Sequence, residues 1–179
     1  MDNRTRYRLD ILPKIIEDAE DITRTAHTIK CFTGKYKDLK VSVITSAGGT
    51  HYTEWIIAMA HARRIKALIG IGYCGAISDR LEIGDVILPI TAIRDENTTD
   101  HYVDERYPAI ADYYLLKNLK RNYAQKNITP HIGLIITTSP TFTEGKEWAK
   151  RLGNVKVLGV ECETSVIYLL AYLCNYSYS

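Results

Sequence analysis

The spacing of apolar positions along the chain alternates between two patterns. Apolar runs predict strands at 40–45, 65–71, 85–93, 132–137 and 155–160. Helical spacing predicts helices at 9–26, 52–64, about 18 residues from 107, 144–152 and 163–174. This alternation favours an α/β fold with a largely parallel sheet. No linker, internal repeat or low-complexity tract interrupts it, so we expect a single domain over residues 1–179.

A glycine-rich stretch follows the strand predicted at 65–71. Gly70, Gly72 and Gly75 end the strand, and Gly84-Asp85 precedes the next apolar run. Glycine lets the backbone turn sharply and approach a ligand closely, and in parallel sheets ligands bind beyond the carboxyl ends of the strands. The alternative is a tight connection between two strands with no ligand.

A second small-residue loop, residues 46–50, lies between a strand and a helix and contains Gly48 and Gly49. Free N–H groups and the helix dipole at such a junction attract an anion. Most strand–loop–helix junctions use glycine for geometry alone, so the anion site is one of two interpretations.

Candidate chemistry also lies at the predicted junction of the last strand and helix, Glu161-Cys162-Glu163. A carboxylate here can accept two hydrogen bonds from a vicinal diol such as a ribose. The alternative is that both acids simply favour a helix start. Phe142, in a polar loop, could stack on a flat ring or plug the loop locally, and Arg94 with Asp95 and Glu96 could form ion pairs at a pocket rim or on the surface.

Composition narrows the class of protein. The chain has 179 residues, 46% hydrophobic and 25% charged, with a net charge of +2. The charge gives no basis for binding nucleic acid or an anionic membrane, and no apolar run is long enough to span a bilayer. Four cysteines without Cys-x-x-Cys spacing and five dispersed histidines predict neither a disulfide framework nor a metal site. A polar amino terminus predicts no signal peptide, so we expect a cytoplasmic protein.

Several segments, in order, resemble the nucleoside phosphorylases, the family of bacterial-type purine nucleoside phosphorylase, uridine phosphorylase and methylthioadenosine-cleaving relatives. Residues 33–37 (Thr-Gly-Lys-Tyr-Lys) are similar to the family's Thr-Gly-x-Tyr-Lys-Gly turn, and 46–50 occupy its Gly-x-Gly loop. Residues 72–76 (Gly-Tyr-Cys-Gly-Ala), 84–86 (Gly-Asp-Val), 107–112 (Tyr-Pro-Ala-Ile-Ala-Asp) and 160–163 (Val-Glu-Cys-Glu) resemble further family motifs. The match covers roughly residues 27–174 and is specific because the motifs occur together. It implies a three-layer α/β/α phosphorylase-like fold with a mixed, mostly parallel sheet.

The resemblance also implies roles for individual residues. Glu163 would hold the ribose hydroxyls, with Cys162 against the sugar and Glu161 beside them. The positions implied for the base are Phe142, Val160, Cys74 and Gly75. Those implied for phosphate are Gly48, Gly49 and Tyr73, with His27 or Arg24 in place of an arginine that family members take from a neighbouring subunit. The partners would be a nucleoside, phosphate as co-substrate and further copies of the chain in a dimer or hexamer, with no metal or other cofactor.

The chain departs from the family pattern in three places. Gly70 stands where the family has a phosphate-clamping arginine, and Tyr73 replaces a serine or threonine that touches phosphate. The family's amino-terminal Gly-Asp-Pro-x-Arg loop is not recognisable before Ile22. The general-acid aspartate, with the last strand and closing helix, falls beyond Ser179, so we expect these parts to be missing and assign no catalytic residue. A nucleoside phosphorylase is the leading hypothesis, a water-using nucleosidase is the second, and an inactive nucleoside-binding or structural fragment is the third.

Overall fold

The computed structural model describes residues 15–23, 29–140, 142–175 and, for the backbone alone, 177–178. The chain divides into two compact units, residues 1–47 and 48–179. The single domain expected from the sequence stays a prediction. Arg24 and His27 lie outside the described residues.

The described part of the first unit is an antiparallel sheet of three strands in the order β1-β2-β3. The strands are β1 (Glu17–Asp21), β2 (Lys30–Tyr36) and β3 (Leu39–Thr45). The strand expected at 40–45 is thus confirmed as β3. The turn expected at 33–38 is restricted to residues 37–38, because 33–36 belong to β2.

The helix predicted over 9–26 is wrong over residues 17–21, because these residues form β1. Glu17 pairs with Lys35 and Asp21 with Phe32, so backbone pairing to β2 replaces the local helical bonds. Ile16 is buried, and its side chain occupies the space that a Cβ on Gly34 would need, 2.2 Å away. A tertiary contact therefore overrides the helical spacing of the sequence.

The second unit contains a mixed sheet of five strands in the order β5-β9-β8-β6-β7. The strands are β5 (Gly75–Ala76), β6 (Ile87–Asp95), β7 (Ala109–Ile110), β8 (His131–Thr138) and β9 (Val157–Glu161). The central strands β6, β8 and β9 are parallel, and the outer strands β5 and β7 are antiparallel to their neighbours. The expected strands at 85–93, 132–137 and 155–160 are confirmed within two residues.

The helices of this unit are α1 (Thr50–Ala62), α2 (Tyr113–Gln125), α3 (Lys146–Asn154) and α4 (Thr164–Leu173). The apolar helix α4 forms the core with α1 and the sheet; its Val166 and Leu169 are buried with Ile57 of α1 and Ile135 of β8. Tyr168 fixes α4 on the sheet by donating a hydrogen bond to the Pro89 carbonyl, 2.8 Å long. Among the described residues, no helix is long and apolar enough to cross a bilayer.

Two expectations within this unit are wrong in detail. The helix expected from 107 begins only at Tyr113, because 109–110 join the sheet as β7 and Asp112 caps α2 by accepting a hydrogen bond from the Leu115 amide. The buried strand expected at 65–71 is reduced to β4 (Ala67–Leu68), which pairs with β10 (Ser177–Tyr178). Ile71 of the same segment is 88% exposed, so the apolar run at 65–71 does not mark a buried strand along its whole length.

Candidate functional site

The three parallel strands end side by side at one edge of the sheet. In the strand register, Asp95 at the end of β6 lies opposite Thr138 of β8, and Thr137 of β8 lies opposite Glu161 of β9. The Thr138 hydroxyl donates to Asp95 Oδ2 over 2.9 Å. This is the carboxyl edge, where α/β proteins bind ligands.

Glu163 lies at this edge, against the glycine loop that begins α1. Its Oε1 accepts a hydrogen bond from the Gly49 amide over 2.5 Å, which joins residues 114 positions apart. Gly48 has φ +92°, and a Cβ there would lie 2.9 Å from the same oxygen. Among the described residues, Glu163 Oε2 accepts no hydrogen bond. The arrangement fixes one carboxylate oxygen and leaves the other available to a ligand hydroxyl.

Glu161 has a different environment. Its Oε1 accepts from the Thr137 hydroxyl over 2.6 Å, and its Oε2 accepts from the amides of Glu163 and Thr164 over 2.7 Å each. Burial raises the pKa of the Glu161 carboxyl, and these hydrogen bonds oppose the shift. Both oxygens are therefore engaged within the protein, as in a carboxylate that caps the start of α4.

Cys74 and Gly75 are brought next to the end of β9. Gly75 pairs with Val160, and a Cβ on Gly159 would lie 2.9 Å from the Gly75 carbonyl and 3.4 Å from Cys74 Sγ. Burial, followed by the negative charge of Glu161, raises the pKa of the Cys74 thiol. Cys74 and the Glu161–Glu163 segment therefore share one edge of the sheet.

The remaining candidates that the structure describes have less defined environments. Cys162 is half-buried, and burial and then the charges of Glu163, Glu161 and Glu144 raise the pKa of its thiol. Glu144 belongs to the loop that carries Phe142, whose own side chain is fully exposed. Tyr73 is 69% exposed.

Gly70 stands where the nucleoside phosphorylases have a phosphate-clamping arginine, and it lies close to α4. A Cβ at Gly70 would lie 2.6 Å from Ile167 Cδ1. A larger side chain at this position would have to displace Ile167.

Arg94 forms an ion pair, but its partner is Asp100 and not Asp95 or Glu96. Arg94 is bonded to Asp100 over 2.6 Å, and its guanidinium also donates to the carbonyls of Asp104 and Tyr107. Asp95 and Glu96 instead accept from threonine and serine hydroxyls. Arg94 therefore stabilises the polar loop at 94–107 through these contacts and forms no ion pair with Asp95 or Glu96.

Sequence reasoning missed the environment of Glu96, which is only 4% exposed. Its carboxylate accepts hydrogen bonds from Thr99 and from Ser165 of α4. The sequence does contain one indication of the Thr99 contact, because Glu96 lies three residues before Thr99, the first residue of a 3-10 helix at 99–101. Ser165, 69 positions away, had no such signal. Within the described residues, no group of three or more His, Cys, Asp or Glu side chains could hold a metal ion.

Comparison with known proteins agrees with this architecture. Two solved structures of uridine phosphorylase from Vibrio fischeri ES114, one complexed with 6-hydroxy-1-naphthoic acid, superpose with a TM-score of 0.90. They are 20% identical, and the alignments cover 96% of this chain and 71% or 72% of theirs. The fold is thus the three-layer α/β fold of these phosphorylases.

Sequence similarity establishes the family. The model of the phosphorylase superfamily matches residues 5–179. Purine nucleoside phosphorylases of the DeoD type from Bacillus thuringiensis (strain Al Hakam) and Bacillus mycoides (strain KBAB4) are 32% identical over 142 residues, which is 78% of this chain. The chain belongs to the phosphorylase superfamily, as a member of the nucleoside phosphorylase family. It spans 60% of the length of these curated relatives.

Proposed function

We propose that the protein is a nucleoside phosphorylase that converts a nucleoside and phosphate into free base and ribose 1-phosphate. The observation that carries the proposal is the Glu163 carboxylate, held by the Gly49 amide at the carboxyl edge of the sheet with Oε2 available. The relatives that are 32% identical are named purine nucleoside phosphorylases, so we favour a purine nucleoside over uridine.

In this reaction, a phosphate oxygen forms a bond to C1′ while the bond from C1′ to the base nitrogen breaks. The bonding electrons leave with the base, which takes up the proton that the attacking hydrogen phosphate loses, and positive charge develops on the ribose in the transition state. Glu163 Oε2 would accept hydrogen bonds from the ribose hydroxyls, and its negative charge would favour the cationic sugar over the ground state. No cofactor beyond the phosphate co-substrate is needed.

The neighbouring residues fit the other parts of the ligand. A flat base would lie at the end of β9, along Cys74, Gly75 and Val160, with Phe142 contributed by the loop after β8. Phosphate would lie at the loop of Gly48 and Gly49, beside the first amides of α1. Cys162 would contact the sugar, whereas Glu161 would act through the backbone of Glu163.

A nucleosidase, which attacks C1′ with water, is the second candidate. The approach of Gly70 to Ile167 leaves no room for a larger side chain unless Ile167 moves, and Tyr73 carries a phenol in place of a small hydroxyl. Without a guanidinium at position 70, the phosphate site lacks one bidentate contact of the kind that binds phosphate most strongly.

Incubation with inosine, adenosine and uridine, with and without phosphate, separates these candidates when free base is measured. We expect phosphate-dependent release, faster with the purine nucleosides, and loss of release in Glu163→Ala but not in Glu147→Ala, an exposed control on α3. Release in phosphate-free buffer would replace the phosphorylase with the nucleosidase. Absence of release, with nucleoside still raising the melting temperature, would indicate an inactive nucleoside-binding protein.

We also propose that the protein forms a homo-oligomer, a dimer or hexamer. Large apolar side chains are exposed on α1, where Trp55 is 58% and Met59 is 41% exposed, and Ile71 is exposed at 88%. Such side chains are enriched at interfaces between subunits. Sedimentation velocity tests this proposal, and a mass equal to one chain at micromolar concentration would contradict it.

A further inference from the structure

Glu96 is a buried carboxylate that connects several segments at the carboxyl edge. It follows β6 directly, and its Oε1 accepts from the hydroxyls of Thr99 and Ser165, the latter over 3.0 Å. Its Oε2 accepts from the Thr99 amide over 3.2 Å. The Glu96 carbonyl accepts from the Ser139 hydroxyl, 3.1 Å away, at the start of the loop that carries Phe142.

A continuous set of contacts leads from this carboxylate to Glu163. Ser165, bonded to Glu96 through its hydroxyl, donates its amide to Thr137 Oγ1 over 2.9 Å. Thr137 donates the same hydroxyl to Glu161 Oε1, and Glu161 Oε2 accepts from the Glu163 amide. Every step is a hydrogen bond of 2.6–3.0 Å, and together the steps connect Glu96 to Glu163 through the first turn of α4.

The hydrogen-bond donors around Glu96 explain why a carboxylate occupies this position. Arg94 donates from Nε to Thr99 Oγ1 over 2.8 Å, and Thr99 donates that hydroxyl to Glu96. The buried acid thus gains donors that a neutral apolar residue could not use, and its removal would leave buried hydroxyls without an acceptor.

We propose that Glu96 is a positioning residue that holds the start of α4, and through it the ribose-binding carboxylate of Glu163. The proposal rests on the function proposed above. Glu96 does not touch the ligand; it acts through Ser165, Thr137 and Glu161.

The test compares Glu96→Ala, Glu96→Gln, Ser165→Ala and the double variant Glu96→Ala/Ser165→Ala. Leu88→Val is the control, because it perturbs a buried position near the amino end of β6, away from the carboxyl edge. Inosine affinity is measured by calorimetry, and hydrogen–deuterium exchange by mass spectrometry follows peptides spanning 46–52 and 161–167. The exchange measurement needs no ligand.

We expect Glu96→Ala to weaken inosine binding about tenfold and to accelerate exchange in both peptides. Ser165→Ala should have a smaller effect in the same direction, and the double variant should be no worse than Glu96→Ala because both remove the same link. Glu96→Gln should retain most of the affinity, since it keeps an acceptor oxygen for Ser165. Leu88→Val should lower the melting temperature without changing either measurement.

Two results would overturn the positioning role. One is unchanged exchange at both peptides in Glu96→Ala, and the other is a fully additive double variant. If the unmodified protein does not bind inosine, adenosine or uridine, the proposed function fails, and the exchange data alone decide whether Glu96 positions Glu163.

Discussion

Gly48 is the position at which a single methyl group tests the Glu163 site most directly. Its φ of +92° is unfavourable for any L-residue, and the new Cβ would lie 2.9 Å from Glu163 Oε1. Gly48→Ala therefore combines backbone strain with displacement of the carboxylate.

The two effects have separable magnitudes. The left-handed backbone costs an alanine about 1–2 kcal/mol, which lowers the melting temperature by about 2–8 °C. Restoring an ordinary contact of 3.4 Å moves the oxygen by about 0.5 Å and disrupts its bond from the Gly49 amide. A hydrogen bond from a ribose hydroxyl to the charged carboxylate would contribute about 1.5–3 kcal/mol, so a displaced Glu163 should lower nucleoside affinity about tenfold to a hundredfold.

Gly84→Ala is the matched control. Gly84 has φ +102°, and among the described residues no atom beyond its chain neighbours lies within 4 Å of its added Cβ, so this variant has the strain without the displacement. Thermal unfolding should show a loss of stability in both variants, and a larger one in Gly48→Ala because it also disrupts the bond from the Gly49 amide to Glu163. Calorimetry with inosine should show reduced affinity in Gly48→Ala alone. Equal affinities in the two variants would refute the role of the Gly48 loop in placing Glu163.

Three further substitutions test other parts of the structure. Burial raises the pKa of the Glu161 carboxyl above its ordinary value of 4.5, so the folded state binds this proton more tightly than the unfolded state. The contribution of Glu161 to the free energy of unfolding should therefore fall as the pH rises from 4.5 through the raised pKa. Urea denaturation at a series of pH values should show this slope, and Glu161→Gln should remove it. Asp112→Ala removes the cap that accepts from the Leu115 amide and should cost about 1 kcal/mol in the same assay, whereas no loss would contradict the capping role. Gly159→Ala places a Cβ 2.9 Å from the Gly75 carbonyl, so we expect a lower melting temperature and faster exchange in β5; unchanged exchange would show that β5 accommodates the methyl group.

The sequence alone predicted the elements whose apolar spacing coincides with their final burial. Helix α4, with Val166 and Leu169 in the core, and strand β8, with Ile135, follow this rule. The acid pair at 161 and 163 also marked the junction of β9 and α4, because acids at a helix start are a local feature of the sequence.

The tertiary structure decided what depends on distant partners. Residues 17–21 carry a helical pattern but pair with β2, and residues 109–110 leave the expected helix for the sheet. Glu161 and Glu163 are equivalent in the sequence, yet Glu161 accepts from two amides at the start of α4 and from the Thr137 hydroxyl of β8, whereas Glu163 reaches Gly49, 114 positions away. Periodicity reports only the neighbours within a few residues, so it could not reveal which acid keeps an oxygen for a ligand. That difference arises when folding brings the start of α1 to the end of β9.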